Sequence, residues 1–124
     1  MDHVVDSDLG TTLAVGGARI GTVEHLLAAL HARSIDNVVI DIDGPEIPIR
    51  DGSFQDFFDA VTDAGVVEQG CDAEVITLPG VVQVSGESDK PAYVATPIDG
   101  LRISATIDFE HAAIGRQYGS FLVT

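Results

Sequence analysis

The 124 residues carry six Lys and Arg against twenty Asp and Glu, a formal net charge of −14. That balance excludes a nucleic-acid backbone binder, which needs cations to displace counterions, and a surface that docks on anionic lipid. With 45% hydrophobic and 21% charged residues, the composition is that of a folded chain forming one domain or two small half-domains, and no window approaches the roughly eighteen apolar residues of a membrane span.

Met1-Asp2-His3 lacks the basic-then-apolar pattern of a signal peptide. After a polar opening, Thr11–Val15 and Ala18–Ile20 flank Gly16-Gly17, the signature of a hairpin turn. Thr22 is placed to cap a helix reaching about Arg33, whose apolar stripe is Val23, Leu26, Leu27 and Leu30. Asn37–Asp43, rich in β-branched residues and stopped by Gly44-Pro45, predicts a strand. Pro45–Ile49 is extended because Pro48 lacks a donor and biases Ile47 away from helix. Asp51-Gly52 turns the chain, and Ser53 with Asp56 reads as a capping box. The helix that follows shows Phe54, Phe57, Phe58 and Val61 on one stripe and stops at Gly65.

Composition shifts near Val66–Asp72, which divides the chain into 1–68 and 69–124. Beyond it the pattern has period two: Glu74–Leu78, Val81–Val84, Ala92–Thr96, and an alternating run from Leu101 to Phe109. The fold expected is α+β: a two-layer sheet-and-helix domain (hairpin, helix, strand, helix), then a mostly antiparallel β half-domain. No helix is expected after the last strand, so one sheet face stays bare, available for self-association.

Cys71 is the one cysteine, which excludes an internal disulfide and a cysteine-based zinc cluster and fits a cytoplasmic setting. Flanked by Gly70 and Asp72, it has no neighbouring base or cation to activate it. Glu24 and His25 are the pair that could carry chemistry. Both fall in the first turn of the predicted helix, where the dipole favours a carboxylate and a neutral imidazole. On a wheel centred near Val23, His25 lies about 200° away and Glu24 on the flank, so His25 turns from the core of its own helix. Read from that helix alone, the two are solvated residues of an amphipathic face. Residue 29 is Ala, so the His-Glu-x-x-His zinc pattern is absent. His31 lies near the face of Glu24, about 10.5 Å farther along the helix than that residue, and His3, His31 and His111 offer no second ligand by spacing.

Three blocks together carry a resemblance: Thr22-Val23-Glu24-His25-Leu26-Leu27-Ala28-Ala29-Leu30, Ile35-Asp36-Asn37, and Gly44-Pro45-Glu46-Ile47-Pro48-Ile49-Arg50-Asp51-Gly52-Ser53. In order and spacing they resemble the bacterial UDP-3-O-acyl-N-acetylglucosamine deacetylase family. Asp8–Leu13 and Thr106–His111 add to the likeness. The resemblance implies a zinc-dependent amide hydrolase of lipid A biosynthesis with two α+β domains packed helix face to helix face. It places His25 on the first zinc ligand and Glu24 on the general base, with zinc-activated water attacking the acetamide carbonyl. A site between domains would then explain why His25 turns from its own core. The resemblance sets Leu9 and Gly10 along the substrate channel.

The family's His-Lys-x-x-x-Asp ligand segment, its general-acid histidine and its aromatic stretch have no match in this sequence. The chain therefore reads as the later part of the first domain and the beginning of the second, by itself inactive. The remaining zinc ligands and the main contacts to the UDP diphosphate fall outside it. Two other readings stay open: a truncated non-catalytic binding or assembly module, and a metal site finished by pairing with another chain.

Overall fold

Gly16 and Gly17, at φ 56° and 91°, close the first hairpin of the computed structural model, which describes residues 2–86 and 91–123. Two successive positive φ values make the turn whose twist matches its strands, and glycine adopts them without a Cβ clash. The chain divides into two units, Met1–Ala73 and Glu74–Thr124. The architecture is α+β, with two helices and seven strands among the described residues.

In the first unit β1 (Val4–Asp6), β2 (Thr12–Val15) and β3 (Ala18–Ile20) form an antiparallel sheet in that order. Strand β1, which the polar opening did not suggest, joins through a register shift between Val4 and Asp6. The extra residue there is a bulge, so the pairing does not follow a clean alternation. Helix α1 spans Glu24–Ala32 and α2 spans Gln55–Ala64. Helix α1 ends in a Schellman arrangement: Ile35 N–H donates to Leu30 O at 3.0 Å and Ser34 N–H to His31 O at 2.9 Å, with Ser34 at φ 53°. Gly65, at φ 79°, ends α2 as the sequence predicts.

Three expectations are corrected. Asn37–Asp43 is not a strand, because no neighbouring strand offers it ladder partners. The predicted cap at Thr22 is not made; Val23 occupies the cap position and the Thr22 hydroxyl goes elsewhere. The capping box at Ser53 is also unmade. Ser53 N–H donates to Asp51 Oδ1 at 2.9 Å, and Asp56 instead takes Arg50 Nε at 2.8 Å, so each half of the box is already engaged. Ser53 Oγ still accepts Gln55 N–H at 3.2 Å.

The core is small. Val23, Ala29, Leu30 and Ile47 are the buried apolar residues among those described. The covered side of α1 is rotated from the predicted stripe: Leu27 is 49% exposed whereas Ala29 is fully buried. The helix packs along α2, with the Arg33 guanidinium 5.6 Å over the Phe58 ring and Phe58 edge-on to Phe54 at 6.2 Å. Leu26, Ala29, Leu30 and Arg33 share one face at helical period, and that face meets α2.

The second unit consists of two antiparallel ribbons. Strand β4 (Val82–Ser85) pairs β5 (Ala92–Ala95), and β6 (Leu101–Asp108) pairs β7 (Arg116–Val123) from Leu101↔Val123 to Asp108↔Arg116. Glu74–Leu78 is not a strand, for want of a ladder partner, and β7 is one the period-two pattern did not reveal. The alternation along β6 nevertheless holds in the pairing. Leu101, Ile103 and Ile107 share a face with Phe121 and Val123, while Arg102, Ser104 and Thr106 share the other with Ser120 and Tyr118. Both faces are exposed, so the alternation does not make this strand half-buried.

If the covered stripe of α1 is the one that stabilises it, Leu30→Ala costs about 2–4 kcal/mol as a cavity. Leu27→Ala, at a half-exposed position, costs well under half as much. Urea unfolding midpoints of the two variants measure the difference.

Candidate functional site

The entry to α1 is built by a sharp corner. Gly21 N–H donates to Pro45 O at 2.9 Å, and Ile47 N–H donates to Gly21 O at 3.1 Å. This parallel bridge ties the end of the hairpin to the extended segment that Pro48 imposes. The next residue, Thr22, sits at φ 56°. A β-branched residue there is strained by about 1–3 kcal/mol, so its surroundings must hold it. Its hydroxyl donates to Glu46 Oε1 at 2.5 Å. The corner turns the chain so that Val23 enters the core and Glu24 begins the helix.

Glu24 is half-buried and faces Thr11, the residue before β2. Its Oε1 accepts the Thr11 N–H, while Oε2 is enclosed with no hydrogen-bond partner. Its pKa is lowered from the ordinary 4.5, chiefly by its own backbone N–H. Thr11, through hydroxyl and amide, and the neighbouring His25 add to the lowering, and partial burial opposes it.

His25 is also half-buried, and its place is explained by the rotated stripe. It lies about 90° from the observed covered face rather than opposite it, four residues before Ala29. That brings the ring to the turn leading into α2, where Nε2 lies 3.0 Å from Gly52 O. A carbonyl only accepts, so Nε2 is the donor of this contact and Nδ1 is the nitrogen left over. Nδ1 is enclosed and has no partner. The neighbours thus each spend one atom on holding the side chain and leave one free.

Gly10 and Thr22 lie beside this pair. A Cβ on Gly10 would stand 3.7 Å from Glu24 Oε1 and 3.9 Å from Thr22 Oγ1. Leu9, at φ 58°, is fully exposed. With Arg19 and Glu46 these residues line an open cleft of about 440 Å³.

His3, His31 and His111 are exposed, and among the described residues no three His, Cys, Asp or Glu side chains gather as a metal site. Cys71 is exposed. Lys90, one of six cations, lies outside the described residues. No helix among those described is long and apolar enough to cross a membrane. Sequence reasoning missed the Thr11 amide and the Gly52 carbonyl, because backbone groups carry no residue-type signal. The positive φ at Thr22 was equally silent.

A family model described as UDP-3-O-acyl N-acetylglycosamine deacetylase matches residues 1–124. A UDP-3-O-acyl-N-acetylglucosamine deacetylase from Myxococcus xanthus is 47% identical over 94% of this chain and 36% of its own length. One from Oleidesulfovibrio alaskensis is 46% identical over 99% of this chain and 40% of its length. One from Pasteurella multocida is 47% identical over 86% of this chain and 34% of its length. The chain therefore spans little more than a third of these relatives.

The lowered Glu24 pKa has a definite sign. Folding favours the ionised carboxylate, so its contribution is present above the ordinary 4.5 and is lost as pH falls through the folded-state value. Glu24→Gln removes that part of the acid dependence. Urea midpoints between pH 7 and about pH 3 should fall less steeply for the variant than for the parent chain.

Proposed function

The chain belongs to the UDP-3-O-acyl-N-acetylglucosamine deacetylase family, and from that membership we propose that it supplies the base and one metal ligand of an amide hydrolase acting in lipid A biosynthesis. The substrate is UDP-3-O-acyl-N-acetylglucosamine, the setting cytoplasmic, and the bond broken the acetamide. The observation that carries this reading is the half-enclosed pair in which Glu24 Oε2 and His25 Nδ1 are both without partners. Two adjacent groups, one a carboxylate and one an imidazole lone pair, each fixed by a backbone bond, suit a base beside a metal.

Glu24 has the simpler task. Its carboxylate is held ionised, anchored through Oε1 by Thr11 N–H, and presents Oε2 to take a proton from water. The Gly52 carbonyl fixes the imidazole of His25 in the tautomer whose Nδ1 can bind a cation. Zinc, when bound, would polarise the amide carbonyl and acidify the attacking water. His25 fits one position of such a site, and the described residues of this chain do not fill the others. Catalytic zinc usually needs about three protein ligands, so these residues do not hold it tightly by themselves.

The apolar face of β6–β7 is the surface through which the isolated chain would self-associate, since Phe121 and Ile103 stand on it exposed.

In the active deacetylase, Glu24→Gln lowers kcat by about 10²–10⁴-fold with KM little changed, because a base acts in the transition state. The 124-residue chain alone shows neither turnover nor tight zinc. Zinc titration of the chain and of His25→Ala at several protein concentrations checks the second point. Undiminished turnover by Glu24→Gln, or tight zinc unaffected by His25→Ala, would sink the reading.

A further inference from the structure

We propose that Glu46 is a positioning residue for Glu24: by holding Thr22 in its left-handed conformation, it delivers the carboxylate to the Thr11 amide. The inference rests on the reading of Glu24 as the base.

Three observations converge on it. First, Thr22 adopts φ 56° with a branched Cβ, and the cross-chain backbone bonds that bracket it fall on its neighbours: Gly21 pairs with Pro45 and Ile47, and Val23 N–H reaches Thr11 O at a long 3.5 Å. None of the three falls on Thr22 itself. Second, the bond that reaches the Thr22 side chain comes from Glu46 Oε1, 24 residues away in sequence and 2.5 Å in space. A charged acceptor makes that bond stronger than a neutral one would. Third, what depends on the corner lies on its far side. Val23 N–H points to Thr11 O at 3.5 Å, and Glu24 Oε1 accepts Thr11 N–H. Relaxation of Thr22 to an ordinary φ would swing the start of α1 and part both contacts.

Glu46 is itself exposed, whereas Ile47 and Val23 make the buried contacts on either side. Its carboxylate therefore adds little to the core. A Cβ at position 10 would come within van der Waals range of both Glu24 Oε1 and Thr22 Oγ1, so Gly10 marks the side on which the two oxygens lie near each other.

The test is a set of four variants read two ways. Glu46→Ala removes the acceptor, Glu46→Gln keeps it, Thr22→Gly removes both strain and hydroxyl, and the fourth combines Thr22→Gly with Glu46→Ala. The amide proton of Thr11, followed by NMR on the intact chain, reports whether the Glu24 carboxylate is seated. Glu46→Ala is expected to move it upfield and Glu46→Gln to restore it. On the Thr22→Gly background, Glu46→Ala is expected to cause no further change, since there is no hydroxyl left to hold. In the active deacetylase, Glu46→Ala is expected to lower kcat about ten- to hundredfold with KM retained, and Glu46→Gln to recover most of it. An unmoved Thr11 amide in Glu46→Ala overturns the proposal. So does an effect of Glu46→Ala that persists undiminished beside Thr22→Gly. A moved amide in a protein that hydrolyses no acetamide upholds the corner and overturns the deacetylase reading instead.

Discussion

The left-handed Thr22 is the constraint on which the first unit turns. It lies at the junction of three segments that have no other reason to meet: the end of the hairpin, the extended run before Ile49, and the first turn of α1. An unstrained residue there would let the chain leave the sheet in a different direction. The bridge from Gly21 to Pro45 and Ile47 sets the corner's position, and Ile47 is buried beneath it. Glu24 and His25 then need no special local sequence to diverge. Being adjacent on a helix separates them by about 100°, so one meets Thr11 at the entry to β2 and the other meets the turn before α2.

That separation gives the two residues different kinds of support. Glu24 is held by a donor and His25 by an acceptor, each from the backbone of a segment remote in sequence. Backbone groups do not change rotamer, so both side chains are seated against rigid partners, and each keeps one polar atom unspent. Such orphaned atoms are costly in an ordinary interior, and their occurrence on two successive residues is what separates this helix from a plain amphipathic one.

Much of this was legible in the residues. Gly16-Gly17 announced the hairpin, Gly65 the end of α2, and the alternation from Leu101 the strand β6, though neither its partner β7 nor the exposure of both its faces. Glu24 and His25 stood out through the blocks around them, not through any spacing of their own. What stayed hidden depended on contacts rather than composition. The stripe of α1 is rotated: Ala29 is buried and Arg33 lies over Phe58 of α2, while Leu27 is half exposed. Asn37–Asp43 has strand residues but no strand beside it, and propensity yields to the lack of partners. Ser53 and Asp56 match a capping box in letters, yet Asp51 and Arg50 compete successfully for the same groups.

The bonds that build the site also differ from those of the hairpin turn and the helices in how far they reach along the chain. The Gly16-Gly17 turn and the turns of α1 join residues a few positions apart. The bonds from Thr11, Thr22 and His25 close loops of 13, 24 and 27 residues. Closing a loop costs entropy that grows with its length, so a folding chain makes hairpin and helix before it makes these. The same ordering runs backwards under thermal agitation. The corner can come apart while both neighbouring elements persist, and the pair would lose its alignment well before the chain lost its secondary structure.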